Sequence, residues 1–148
     1  MTYSPNFRGA SAKASSRQTQ TGYQNGTVST LTKGTPVTIN GSSQMILVDV
    51  TSESSVDAIV GLTSVDTPSA ANGTVVDCGR LENITTSFNV RDILYIDKSG
   101  ALTNIQPTVG VNSFVHGDYV VLVGVVVENE FDNTKKDIKL MLSVVGQL

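Results

Sequence analysis

Residues 119–127 read YVVLVGVVV and residues 138–145 read IKLMLSVV, joined by the polar stretch ENEFDNTKKD at 128–137. The first segment is a nearly unbroken β-branched run, a composition that stiffens χ1 and suits a pleated, buried strand. In the second, Ile138, Leu140, Leu142 and Val144 recur at every other position, so in a strand they share one face. Together the two segments predict a long antiparallel hairpin at the centre of the core. Gly124 interrupts the valines and predicts a bulge or the close approach of another backbone. On this reading Leu142→Asp would set an unpaired charge on the inward face and prevent soluble folding.

The pattern continues outward from the hairpin. Ile93-Leu94-Tyr95-Ile96 runs into the turn Asp97-Lys98-Ser99-Gly100 and returns through Ala101-Leu102-Thr103. Further upstream, residues 27–31, 36–39, 45–50, 58–62 and 74–78 form short apolar or β-branched runs. Lys33-Gly34, Asn40-Gly41 and Asn72-Gly73 punctuate them, and Asn-Gly is the strongest short hairpin signal because both residues accept positive φ. Residues 52–58 allow one turn of helix, and no longer window carries a capped helical stripe. Short strands with turns every 8 to 12 residues or so argue an all-β fold, a compact antiparallel barrel or sandwich; the spacing is the same for both.

The beginning of the chain has neither period. In residues 1–26, MTYSPNFRGASAKASSRQTQTGYQNG, the apolar side chains are isolated and the rest is mostly Ser, Thr, Gln, Asn, Gly and Ala. Such a segment cannot bury enough surface on its own to offset its ordering cost. We therefore expect an extended N-terminal arm at 1–26 attached to a β body at 27–148. Tyr3, Phe7 and Tyr23 are its candidate partner-binding anchors, and Arg8, Lys13 and Arg17 would steer it toward acidic protein patches. Fully extended, it would reach on the order of 80 Å.

The whole chain is 148 residues, the size of one domain, with 16% charged residues, 5% aromatics and no Trp. Its net charge of -3 is unevenly divided. Residues 1–48 hold four bases and no acid, whereas the remainder holds six bases and thirteen acids, giving +4 and -7. A basic arm on an acidic body suits a protein partner better than nucleic acid, since the bases are sparse and the body would repel phosphates. The apolar runs are far shorter than the roughly 20 residues that span a bilayer, and no basic-then-apolar signal opens the sequence, so we expect a cytosolic origin and no membrane partner.

The residues that could carry chemistry are few. One Cys and one His exclude an intrachain disulfide and a Cys/His zinc site. His116 stands two residues from Asp118, but no G-x-S-x-G nucleophile elbow accompanies it, so a loop or oligomer-interface role is expected. Cys78 ends a strand run and reads as a buried or half-buried structural thiol. Glu128, Glu130 and Asp132 alternate like calcium ligands, yet they lack the Gly and terminal Glu of an EF-hand loop and read as solvated loop residues. The N-x-S/T triplets at Asn25, Asn40, Asn72 and Asn83 read as turn chemistry, and Thr32-Lys33-Gly34-Thr35 lacks the spacing of a phosphate loop. We expect no catalytic residues, no metal and no cofactor.

Residues 79–110, GRLENITTSFNVRDILYIDKSGALTNIQPTVG, resemble small β-rich structural proteins of tailed bacteriophages, among them the head decoration or cement proteins. The likeness lies in a short strand, the hairpin LYIDKSGALT, a Pro-containing loop and then GDYVVLVGVVV at 117–127. It implies a virion component, assembled in the host cytoplasm, that packs on the major capsid protein at the capsid surface, commonly as a trimer. No family site residues exist to carry over. A neck, tail or fibre-attachment protein would share this composition. A carbohydrate-binding or hydrolytic module fits less well, because sugar faces stack on aromatic rings and this chain is poor in them.

Overall fold

The computed structural model describes residues 20–148. The chain forms β1 (Gln20–Gln24), β2 (Pro36–Ile39), β3 (Met45–Leu47), α1 (Glu53–Asp57), β4 (Ile59–Thr63) and β5 (Asn72–Val76), then β6 (Gly79–Ile84), β7 (Ile93–Ile96), β8 (Leu102–Thr103), β9 (Tyr119–Glu128) and β10 (Lys136–Gln147). Two antiparallel five-stranded sheets result, ordered β1-β5-β4-β2-β3 and β6-β10-β9-β7-β8. The chain passes from one sheet to the other through Asp77-Cys78. The fold is all-β, as expected, and the two sheets make it a sandwich.

Side chains decide the turns. The β2–β3 connection closes through Asn40, whose Oδ1 accepts from the Ser42 and Gln44 amides at 2.9 and 3.0 Å. Positive φ falls on Ser43 rather than on Asn40 or Gly41, so the Asn-Gly pair opens a longer loop instead of a two-residue turn. In the β7–β8 turn Asp97 Oδ1 takes the Ser99 and Ala101 amides. Gly100 there has φ 87°, and a Cβ at that position would meet the Val48 carbonyl oxygen at 2.9 Å. Helix α1 is the expected single turn: Ser52 caps it by accepting from the Ser55 amide, and Val56 is its buried residue.

The main core lies between the sheets. Val48, Val50, Val56, Leu62 and Val76 from the first half pack against Leu81, Ile84, Leu94, Ile96, Val121, Val123, Val126, Ile138 and Leu140. In the predicted hairpin β9 is the middle strand of the second sheet and β10 one of its two neighbours. Gly124 sits opposite Leu140, where any Cβ would overlap the Lys139 carbonyl oxygen. The inward face of β10 holds through Ile138 and Leu140, but a register shift lies between Leu140 and Ser143. Leu142 is consequently only half-buried, and Val144 is 46% exposed.

A smaller cluster, Leu31, Val37, Met45 and Val75 with Tyr23 and Val60 packed on it, separates from the main core. The chain leaving β1 runs beside β3, the opposite edge of the same sheet. Asn25 bridges Met45, and the Gly26 amide donates to the Met45 carbonyl at 2.9 Å. The first sheet thus curls until its two edges meet, which satisfies backbone groups that edge strands otherwise leave open.

Two sequence expectations need correction. Residues 20–24, expected within the arm, are β1, and every residue of the strand has a partner in β5. The alternation there is hidden by polar side chains, and pairing with β5 rather than local propensity makes the strand. Residues 27–31, expected as a strand, form a loop in which only Leu31 bridges another segment. Asn25 causes this: its Oδ1 accepts from the Thr27 amide and hydroxyl, and its Nδ2 donates to the Ser29 carbonyl. Local side-chain bonds of this kind outcompete a ladder, and Val28 is left pointing into solvent.

Candidate partner-binding surface

The outer face of the second sheet carries an apolar stripe. Register sets Ile93 of β7 opposite Val125 of β9, and Val125 opposite Lys139 of β10. In the next row Tyr95 and Ser143 flank Leu122. Ile93 is 48% exposed and Met141 43% exposed, while Tyr95, Leu122 and Val125 are half-buried. None of these five belongs to either core cluster. Exposed apolar surface is costly to leave in water, which makes this stripe a candidate contact surface.

The connection from β8 to β9 adds to the exposed apolar surface with Ile105, Val109, Val111 and Val115. Phe114, 2% exposed, roots this loop in the main core. Lys98 Nζ donates to Asp118 Oδ2 at 2.7 Å, the same oxygen accepts from the Val115 amide, and the Lys98 ammonium lies 5.9 Å from the Phe114 ring centroid. The Gly117 amide donates to the Leu148 carbonyl and the Leu148 amide to that of Asp118, tying the loop to the end of the chain. The exposed valines are therefore presented on a braced support.

A second buried carboxylate braces the opposite end of the sheet. Asp137 accepts from Arg80 Nε at 2.7 Å, from the Asn83 amide at 3.0 Å and from Asn129 Nδ2 at 2.8 Å. Arg80 also donates to the Glu128 carbonyl. Burial pushes the Asp137 carboxyl up, but the bonds from Asn129, Asn83 and Arg80 and the Arg80 charge outweigh it and hold the group below its ordinary value. Asp118 behaves alike: burial opposes, while the Lys98 bond, the Val115 amide and the Lys98 charge prevail and lower it. Both carboxylates are consumed by structural bonds. Beyond Asp137, the β9–β10 loop presents Phe131 at 92% exposure, its amide and that of Asp132 capped by Asn129 Oδ1.

Of the residues expected to bind a partner, Tyr3, Phe7, Arg8, Lys13 and Arg17 lie outside the described residues. Tyr23 belongs to β1 and packs half-buried on the smaller core. His116 is exposed in the braced loop, and the Asp118 carboxylate turns to Lys98 and Val115 rather than to its ring. Cys78 is exposed, not buried, because it falls where the chain crosses between sheets. In the acidic loop Asp132 accepts from the Thr134 side chain and amide, bonds that lower its carboxyl. No group of three or more metal-ligating side chains occurs among the described residues, and none of their helices is long and apolar enough to cross a membrane.

The outer stripe was partly legible beforehand, since Lys139 and Met141 alternate with Ile138 and Leu140. The valines of β9 concealed the rest, because a uniformly apolar strand does not say which of its faces is covered. Comparison with family models, curated proteins and solved structures finds no match for this chain.

Proposed function

We propose that this chain is a structural protein of a tailed-bacteriophage virion, a decoration or cement protein that binds the outer surface of the capsid shell. The observation carrying this reading is the apolar stripe of Ile93, Tyr95, Leu122, Val125 and Met141 outside both cores, which fits burial in a homo-oligomer. The resemblance of residues 79–110 and 117–127 to phage structural proteins favours a trimer on the major capsid protein. Residues 1–19 carry three bases and no acid, whereas residues 20–148 carry seven bases and thirteen acids. A segment of +3 on a body of -6 is suited to clamping an acidic neighbouring coat subunit. Several such segments on one oligomer bind a repeating lattice with avidity, without a large contact from each chain. The role needs no catalysis, cofactor, nucleic acid or membrane.

Two measurements test it. Ile93→Lys should yield a folded monomer by sedimentation, and an unchanged oligomer would remove the stripe as the interface. Deleting residues 1–19 should weaken binding to purified capsid shells by more than about tenfold, as expected when a multivalent clamp is lost. Equal binding would show that the N-terminal segment is not the clamp. Hundreds of copies per particle would mark a head position, whereas a handful would mark the neck or tail.

A further inference from the structure

Beyond Leu140, strand β10 runs on without a neighbour on one side. β6 pairs with it between Lys136 and Leu140, where Gly79 is the last partner, while β9 follows its other side as far as Gln147. Among the described residues no strand pairs with 141–147 on the β6 side. Open sheet edges are ordinarily guarded by charges or Pro. The stretch MLSVVGQL at 141–148 contains neither, and Met141, Val144 and Val145 are exposed in it.

A groove of about 300 Å³ adjoins this open edge. Leu142 and Val144 line it from β10, Val56 from α1, Ile59 from β4 and Val121 from β9. Val56 and Val121 are buried members of the main core, so apolar lining continues from the core to the surface. Asp77 also lines the groove and stands two residues before β6, which places it toward the Leu140 end of the open edge. Helix α1 presents exposed Glu53 and Asp57. After burial, their charges raise the Tyr119 phenol, and Tyr119 lies opposite Gln147, so both carboxylates belong to the other end. The lining of the groove includes no Lys, Arg or His.

Backbone, lining and charge together select the occupant. Open N–H and C=O groups suit an extended chain, and the apolar lining suits aliphatic side chains at every other position. Carboxylates toward both ends suit a segment with a base toward each of its own ends. A second copy of β10 is a poor match, because 141–147 holds no base and the carboxylates of two copies would be brought near each other. Register shifts between Leu140 and Ser143 and between Val144 and Gly146 also interrupt the ladder that a long strand would extend. We propose that the open edge of β10 and its groove bind a short extended segment of another protein by strand addition, with aliphatic side chains in the groove and bases against Asp77, Glu53 and Asp57. The inference holds whether or not the chain serves in a virion.

The probe is a fluorescent heptapeptide, Lys-Thr-Val-Thr-Val-Thr-Lys, capped at both ends, whose lysines and valines share one face of a strand. Full-length protein should raise its anisotropy saturably, and in an isotope-labelled chain the amide resonances of Ser143 and Val144 should shift most. Replacing both lysines of the peptide by glutamates should abolish binding. Glu53→Gln, Asp57→Asn and Asp77→Asn together, all at exposed positions, should weaken binding about tenfold, as three solvent-screened contacts warrant. N-methylation of the peptide tests the backbone pairing without altering the protein. Methylating one alternate set of nitrogens should abolish binding and the other set should be tolerated, because only one set faces β10. Absence of saturable binding, equal binding of the glutamate peptide, an unaffected triple variant, tolerance of both methylated sets, or shifts centred on the outer stripe would each overturn the proposal. So would slow exchange, in the free protein, of those amides in 141–147 that point away from β9. Protection that grows with concentration would give the edge to a second copy, and constant protection would give it to the chain itself.

Discussion

Asp137 is 2% exposed and accepts three hydrogen bonds, so removing its carboxylate leaves the Asn83 amide without its acceptor and takes from Asn129 Nδ2 one of its two. Arg80 is part-exposed and can rehydrate, which limits the loss. Asp137→Ala should therefore cost about 2–3 kcal/mol in urea unfolding. The two buried carboxylates also set a pH dependence. Both are lowered in the folded protein, so the unfolded chain takes up these protons first as pH falls. The stability they contribute is complete above about pH 5 and is lost as pH drops through their lowered folded values. Urea midpoints measured downward from neutral pH should show this decline, and Asp118→Asn with Asp137→Asn should flatten it. An equally steep decline in the double variant would assign acid sensitivity elsewhere. None of this was visible in sequence, because Asp137 and Arg80 stand 57 positions apart.

At the scale of the element, β9 and β10 were legible because their chemistry is local: β-branched runs, strict alternation and a polar loop between them. The expectation at Gly124 was of the same kind, and it leads to a sharp comparison within one hairpin. Gly124→Ala would drive a methyl into the Lys139 carbonyl, whereas a Cβ at Gly146 meets nothing within 4 Å. The first substitution should cost about 3 kcal/mol or abolish soluble expression. Gly146→Ala should stay within about 0.5 kcal/mol of the natural protein. The register shift past Leu140 was not legible, since a bulge is chosen by the partner strand. It moves the point of greatest sensitivity: Ile138→Asp, at a fully buried position, should prevent folding, while Leu142→Asp should be destabilised yet soluble. Circular dichroism and soluble yield would separate them.

For the molecule as a whole, the boundary of the N-terminal segment is the consequential result. Residues 1–19 precede the first strand, but residues 20–26 supply β1, Tyr23 of the smaller core and Asn25 with its bridge to Met45. Deleting 1–19 should leave the urea midpoint nearly unchanged, whereas deleting 1–26 should open the first sheet and produce aggregation through exposed strand edges. Equal stability of the two truncations would mean that the closure of that sheet contributes nothing.

The sequence by itself determined the all-β class, most strand positions, the single helical turn and the basic bias of the N-terminal segment. Each of these follows from composition or from neighbours within a few residues. Tertiary structure alone decided that there are two sheets, that the first closes on itself, and that the second turns an apolar stripe outward. Those outcomes rest on pairings such as Gln20 with Val76 and Ile93 with Val125, between residues too far apart for a local pattern to encode.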